Sequence, residues 1–419
     1  MTKQLMVGSV PVGGGAPVSI QSMCSTRTDD VEATVAQVLA LENAGCEIIR
    51  VAIPDQAAAE AVDKLKERIH IPLVADIHFN YRYAIVCAER GVDAIRINPG
   101  NIGGEEKVRA VADLCRQRGI PIRIGVNGGS LEKELRAKYG GVTAGALVES
   151  AMGHVHLLNK FDFDDICISV KCSDVPLTIT AYRLLSEQTD YPLHLGVTEA
   201  GTPSMGLVKS AMGIGGLLCM GIGDTIRVTL TADPVEEIYA AKKILKAAGL
   251  RKQGVNLIAC PTCGRTRIDL IPIAEEVERR LANCEKDITV AVMGCAVNGP
   301  GEAAAADIGI AGGKGAISKR RNPLQGFTGA ACGCPDGGDR EIIELHKGGI
   351  AMIAVILALA LGIFLNMSTY GGQVWPVGSV AAIVIMGVWI KFSMDRRFEE
   401  LESRFRDQGV SQNVEKEDQ

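Results

Sequence analysis

Two short segments concentrate residues able to hold a metal: Cys260-Pro-Thr-Cys263-Gly-Arg265-Thr-Arg267 and Met293-Gly-Cys295-Ala-Val-Asn298-Gly-Pro300-Gly-Glu302. A C-x-x-C pair brings two thiolates to one centre, a spacing shared with redox dithiols and zinc ribbons. The second segment adds a cysteine in a glycine-rich turn, followed by a carboxylate. Structural zinc takes four firm ligands. Between residues 251 and 316 the only further Cys or His is Cys284, which reads as packing at a helix end. Three cysteines with a nearby carboxylate suit an iron–sulfur cluster with one iron held exchangeably. Upstream, Cys46, Cys87, Cys115, Cys167 and Cys172 read as small buried hydrophobes, while Cys24, at the end of the first strand, is open to a place at the rim.

The elements that must position these ligands follow from the patterning. Residues 255–315 read as a strand, a Cys-containing turn, a helix over Asp269–Asn283, a strand over Ile288–Met293 and a second Cys-containing loop. That is a compact α/β domain, here 251–316, with a core small enough to need a metal staple. Upstream, eight β-branched runs alternate with amphipathic segments such as Asp30–Ala44, Glu105–Arg118 and Pro176–Gln188. The strand candidates are Val18–Met23, Ile48–Ile53, Leu73–Ile77, Ala94–Asn98, Ile122–Val126, Ile166–Lys171, Leu193–Thr198 and Thr225–Thr231. Strand–helix alternation repeated eight times predicts a closed (β/α)8 TIM barrel over 1–250, with an open doubly wound sheet as the competitor.

Each strand carries polar residues toward its carboxyl end, where barrel enzymes place their chemistry. In order these are Arg50, Asp76 with His78, Arg96 with Asn98, Arg123 with Asn127, Lys171, Glu199 and Arg227. Five converging cations suit a concentrated anion such as a diphosphate, and ion pairing inside the barrel is the plainer reading for any one of them. The net charge of −5 over 419 residues leaves no broad nucleic-acid footprint. Thirteen cysteines without a leader pattern over Met1–Val18 point to reduced thiols or a metal site and a cytoplasmic body.

The two cysteine segments resemble the 4-hydroxy-3-methylbut-2-enyl diphosphate synthase family of the methylerythritol phosphate route. The likeness runs through Ser19-Ile-Gln-Ser-Met23, Val74-Ala-Asp-Ile-His78, Arg96-Ile-Asn-Pro-Gly100, Arg123-Ile-Gly-Val-Asn127 and Gly196-Val-Thr-Glu-Ala-Gly201, over about residues 5–316. It implies a barrel followed by a domain whose [4Fe-4S] cluster is held by Cys260, Cys263, Cys295 and Glu302. It also implies a head-to-tail homodimer. The implied reaction converts 2-C-methyl-D-erythritol 2,4-cyclodiphosphate to hydroxymethylbutenyl diphosphate, with two electrons entering from flavodoxin or ferredoxin and one water leaving. On that reading Arg50, Asp76, Arg96, Asn98, Arg123, Asn127, Lys171 and Arg227 bind the substrate. Glu302 yields its iron to a substrate oxygen, and Glu199 is the candidate proton donor for the departing hydroxyl.

The tail, 317–419, departs from the family. It passes through Cys332 and Cys334 to two apolar stretches, Ile350–Leu365 and Val374–Ile390, each near the shorter limit for a membrane helix. Lys347 precedes them and Lys391, Arg396 and Arg397 follow, so a genuine tail predicts a membrane hairpin with both ends cytoplasmic. The competing expectation is a frameshift. Read from the second base, codons for Ala330–Ile343 can encode an acidic helix ending in a stop, and 352–419 would be a separate two-helix membrane protein. Resequencing the DNA around codons 315–330 decides between them, and one intact frame on independent reads would sink the frameshift.

Overall fold

Gln4–Val7 (β1) and Val10–Gly13 (β2) form an antiparallel hairpin that the sequence reading does not contain. Gly8, with φ of 56°, stands first in its two-residue turn, where a side chain is strained and glycine is not. The structure, a computed structural model, describes residues 1–319 apart from 252–253, 282–283, 285, 296, 298 and 313–315. Cys332, Cys334 and both apolar stretches of the tail lie outside the described residues. Among the described residues no helix is long and apolar enough to cross a membrane. The chain divides into two compact units, the first Met1–Gln253 and the second starting at Gly254.

The first unit is a barrel. Its strands are Ser19–Met23 (β3), Ile48–Ile53 (β4), Leu73–Ile77 (β5), Ala94–Ile97 (β6), Ile122–Asn127 (β7), Ile166–Lys171 (β8), His194–Leu195 (β9) and Thr225–Ile226 (β10). They pair in parallel in the order β8-β7-β6-β5-β4-β3-β10-β9. The ring closes where Ile168 of β8 bridges Leu193, just before β9. Eight strands and a parallel barrel are thus as the alternation predicts, and the open sheet is excluded.

The last two strands are much shorter than Leu193–Thr198 and Thr225–Thr231. The β8–β9 seam is accordingly thin, and the buried Tyr182 laces it. Its hydroxyl donates to the His194 carbonyl at 2.6 Å and accepts from the Val170 N–H at 3.2 Å. Tyr182→Phe leaves both backbone groups buried without that partner and is expected to destabilise the barrel by about 1–3 kcal/mol, read from the urea midpoint.

The helices lie where caps and periodicity place them. Asp30 accepts from the Ala33 N–H at 3.1 Å to start Val31–Ala44, and Gly45 ends it at φ of 97°. Glu105–Arg118 is a helix with the bounds the periodicity gives it. At the amino-terminal end of the barrel, Leu5, Val7 and Val12 of the hairpin pack on Ile48, Val74, Ala94 and Cys167. The hairpin therefore plugs that end.

In the second unit Val255–Ala259 (β11), Ile288–Met293 (β12) and Ile308–Ala311 (β13) pair in parallel, and Ala316–Lys319 (β14) adds antiparallel to β13. Helices Leu270–Leu281 and Gly299–Ala305 connect them. Gly309 lets the second helix lie flat on β13, since a Cβ there would stand 2.5 Å from that of Ala303. Among the described residues one buried cluster joins Ala291, Met293, Ala303 and Ala306, with Ile258, Cys260 and Ala311 packed against it, and Leu270, Val290 and Val292 are buried as well.

Candidate functional site

Register explains how the barrel gathers its charges. Alternate residues of a strand share a face, and Asp76 of β5 lies level with Arg96 of β6, which lies level with Arg123 of β7. Arg50, Asp76, Arg123 and Lys171 are each at most 9% exposed. The Arg96 and Arg227 side chains are 13% and 16% exposed. These groups fill the barrel interior and do not all stand at the rim. Arg123 is only the second residue of its strand and Arg50 the third, because the rim reading ignores how far along its strand each residue sits.

Ion pairing holds part of this set. Arg50 Nε lies 3.4 Å and Arg96 Nη1 3.0 Å from the Asp76 carboxylate. Arg227 Nη2 lies 3.3 Å from the buried Glu237, a counter-ion with no sequence signal, which also accepts from Ser22 Oγ at 3.3 Å. Burial alone would raise the Asp76 carboxyl, but Arg50, Arg96 and Arg123 overcome it and hold it at about 2. Arg50 additionally donates to Met23 Sδ at 3.0 and 3.2 Å, a weak acceptor. Asn127, in the amide orientation that satisfies both its atoms, accepts from Arg96 Nη2 at 3.2 Å.

Five cations thus face two carboxylates among the described residues of this interior. Arg96 Nε, Arg123 Nη2 and Arg227 Nε are buried with no hydrogen-bond partner. Such donors call for an anion or ordered water. Two glycines make the packing possible. A Cβ on Gly125 would lie 2.2 Å from Arg96 Nε, and one on Gly196 would lie 2.5 Å from Lys171 Nζ. Gly125→Ala is expected to push Arg96 off Asp76 and to weaken binding of inorganic diphosphate by about tenfold or more, measured by calorimetry.

Asn98 and Glu199 make no ion pair with this set, while His78 adds to the cations that lower Asp76. Asn98 is buried, and its Oδ1 accepts from the Gly100 N–H at 3.1 Å, so it caps the short helix Pro99–Ile102. His78 is exposed just past β5. Glu199 is exposed in the loop after β9, with a left-handed φ of 52°. A non-glycine residue held there stores about 1–3 kcal/mol of strain, which clusters at functional loops. His194 was not anticipated by the sequence reading. It is fully buried among the cations, and both ring nitrogens lack a partner.

In the second unit the cysteines sit past the carboxyl ends of adjacent parallel strands: Cys260 after β11 and Cys295 two residues after β12. The Gly294 N–H points at Cys260 Sγ at 3.5 Å, and the Arg267 N–H donates to the Gly294 carbonyl at 2.8 Å, so the two loops are tied together. The Arg265 backbone N–H and guanidinium hold the Cys263 thiol below its ordinary value. Arg265 is itself raised by its hydrogen bond to Cys263, and the other two thiols, Cys295 and Cys260, act in the same direction. Glu302 is exposed in the first turn of Gly299–Ala305, where a carboxylate is favoured.

No group of three or more His, Cys, Asp or Glu among the described residues stands close enough to grip a single metal ion. A four-iron cube takes each ligand at a separate corner, so wider spacing is what it requires. Three thiols in two tied loops fit such a donor set.

Two family models match this chain: the GcpE TIM-barrel domain over residues 2–242 and the GcpE protein C-terminal domain over 256–328. The second match runs to 328, eleven residues beyond the 317 at which the sequence reading starts the tail. Among similar proteins is the 4-hydroxy-3-methylbut-2-en-1-yl diphosphate synthase (flavodoxin) of Clostridium perfringens, 62% identical over 314 residues, 75% of this chain and 90% of that one. The protein of the same name from Ruminiclostridium cellulolyticum is 59% identical over 312 residues, covering 74% and 88%. That from Geobacter sulfurreducens is 59% identical over 314 residues, covering 75% and 89%. Both domains and these identities show that the chain belongs to the GcpE family, that of the 4-hydroxy-3-methylbut-2-en-1-yl diphosphate synthases.

Proposed function

We propose that this chain reductively opens and dehydrates 2-C-methyl-D-erythritol 2,4-cyclodiphosphate to (E)-4-hydroxy-3-methylbut-2-enyl diphosphate, in isoprenoid biosynthesis. The observation that carries the reading is the surplus of buried cations in the barrel of a GcpE-family chain. Arg50, Arg96, Arg123, Lys171 and Arg227 hold the diphosphate, and Asp76, Asn98 and Asn127 fix the guanidinium array and its neighbouring loop. As the ring C–O bond breaks, negative charge grows on the departing diphosphate oxygen. Preorganised cations in a water-poor interior stabilise that charge more than the ground state.

Glu199, at the exposed end of its strained loop, delivers a proton to the departing hydroxyl. Cys260, Cys263, Cys295 and Glu302 would hold a [4Fe-4S] cluster, which when bound supplies electrons one at a time. The donor is a reduced flavodoxin or ferredoxin, and the name of the relatives supports flavodoxin. The chain acts as a homodimer, which sedimentation tests.

The reading is tested by anaerobic turnover of the full chain with the cyclodiphosphate and a chemical reductant. Formation of the allylic diphosphate is expected. A bound iron–sulfur chromophore without product would mean another substrate, and zinc in place of iron and sulfide would overturn the redox reading.

A further inference from the structure

The groups facing the barrel interior are Arg50 from β4, Asp76 from β5, Arg96 from β6, Arg123 from β7, Cys167 and Lys171 from β8, His194 from β9 and Arg227 from β10. Glu237, from the helix Pro234–Ala247, faces Arg227, and the Tyr182 hydroxyl reaches the His194 carbonyl. With every Lys and Arg charged, five cations oppose two carboxylates among the described residues, a surplus of three charges in a space closed below by the hairpin. Burial of uncompensated charge is strongly unfavourable, and the usual response is loss of a proton.

Few of these groups have a proton to lose. Guanidinium does not release one in a protein. Burial pushes the Cys167 thiol up to about 12, and burial also raises Tyr182, so both are already neutral. Burial drives His194 far down and Arg123, Arg50 and Arg227 act in the same direction, so its imidazole is neutral without any charge on Lys171. That leaves Lys171. It is 7% exposed, has no carboxylate partner among the described residues, and lies against the backbone at Gly196.

We infer that Lys171 is neutral in the empty barrel and takes up a proton when a diphosphate enters, so that substrate binding and proton uptake are one event. The inference rests on the diphosphate reading above. Burial followed by Arg123, Arg50, Arg227 and Arg96 lowers the Lys171 ammonium well below its ordinary value, in the direction the charge balance requires. An incoming diphosphate dianion offsets most of the surplus and restores the ammonium. The proton comes from solvent, and no bond other than N–H is made. The folded-state value is depressed in the empty protein and recovers in the complex. Affinity therefore rises as pH falls and levels off once Lys171 is already charged in the empty barrel.

The test is calorimetry on the full chain under anaerobic conditions, in buffers of different ionisation enthalpy, between about pH 6 and pH 9. The probe is symmetrical dimethyl diphosphate, a dianionic diester with no titrating proton of its own in that range. The wild-type chain should take up about one proton per ligand at the alkaline end and lose affinity by up to about tenfold per pH unit there. Lys171→Arg, whose charge is fixed, should bind with no uptake and an affinity indifferent to pH. Binding by the wild type without uptake at any pH overturns the inference and leaves the diphosphate reading standing. Uptake that persists in Lys171→Arg assigns the proton to another group and also overturns it. Failure of the diester to bind the wild type at all removes the diphosphate reading, and the inference with it.

Discussion

Cys295→Ala is expected to leave the chain without an iron–sulfur chromophore and to lower turnover of the cyclodiphosphate by at least about a hundredfold, the upper range seen when only supporting groups of a metal site are lost. Cys295 is 5% exposed, two residues past an inner strand of a four-stranded sheet. No solvent ligand can reach in to replace a buried thiolate as readily as at the exposed Cys263. The effect should extend to stability, because few large side chains are buried among the described residues of the second unit. Limited proteolysis should cut within 254–319 faster than in the wild type. Cys87→Ala is the control. Cys87 is fully buried on the helix Tyr81–Glu89, and burial pushes its thiol up to about 12, so it stays protonated and only packs. Iron, sulfide and product that are undiminished in Cys295→Ala would refute the ligand assignment.

Asp76→Asn should be the most destabilising isosteric change in the barrel. The carboxylate is 3% exposed and serves two guanidinium groups at 3.0 and 3.4 Å. Removing one member of a buried ionic set leaves the others uncompensated, at about 3–5 kcal/mol. The pH dependence follows from the same group. Its folded-state value, about 2, lies below the ordinary aspartate value. Its stabilisation is therefore complete above about pH 4 and lost as pH falls through about 2. That acid limb should be missing from the urea midpoints of Asp76→Asn. A second change, Arg96→Met, should recover part of the loss by removing the cation that Asp76 balanced. A midpoint unmoved by Asp76→Asn would mean that the cation array is held by something other than this carboxylate.

Much of the barrel was legible because its strands are buried on both faces. Ile48–Ile53, Leu73–Ile77 and Ile166–Lys171 have the bounds the β-branched runs give them. The last two strands were overread. Leu193–Thr198 holds only His194–Leu195, and just beyond it Gly196 is required because a Cβ there would stand 2.5 Å from Lys171 Nζ. That requirement comes from a residue on another strand, and no local pattern reports it. The amino-terminal hairpin was legible and passed over. Gln4–Val7 and Val10–Gly13 are apolar-rich runs separated by Gly8-Ser9, a recognisable hairpin turn. In the interior, the charged residues within the strand runs disclose the cations, while Glu237 and His194 give no signal. Their importance is set by which other charges they face, and that is a property of barrel closure.

The hairpin at the amino-terminal end has a kinetic consequence. With Leu5, Val7 and Val12 packed over Ile48, Val74 and Ala94, the barrel is a well with a single mouth. Whatever enters the cationic layer must leave by the route it came, past the loop that carries Glu199. Anything that covers the mouth slows arrival and departure by the same factor, so residence time lengthens while the dissociation constant stays where the charges set it.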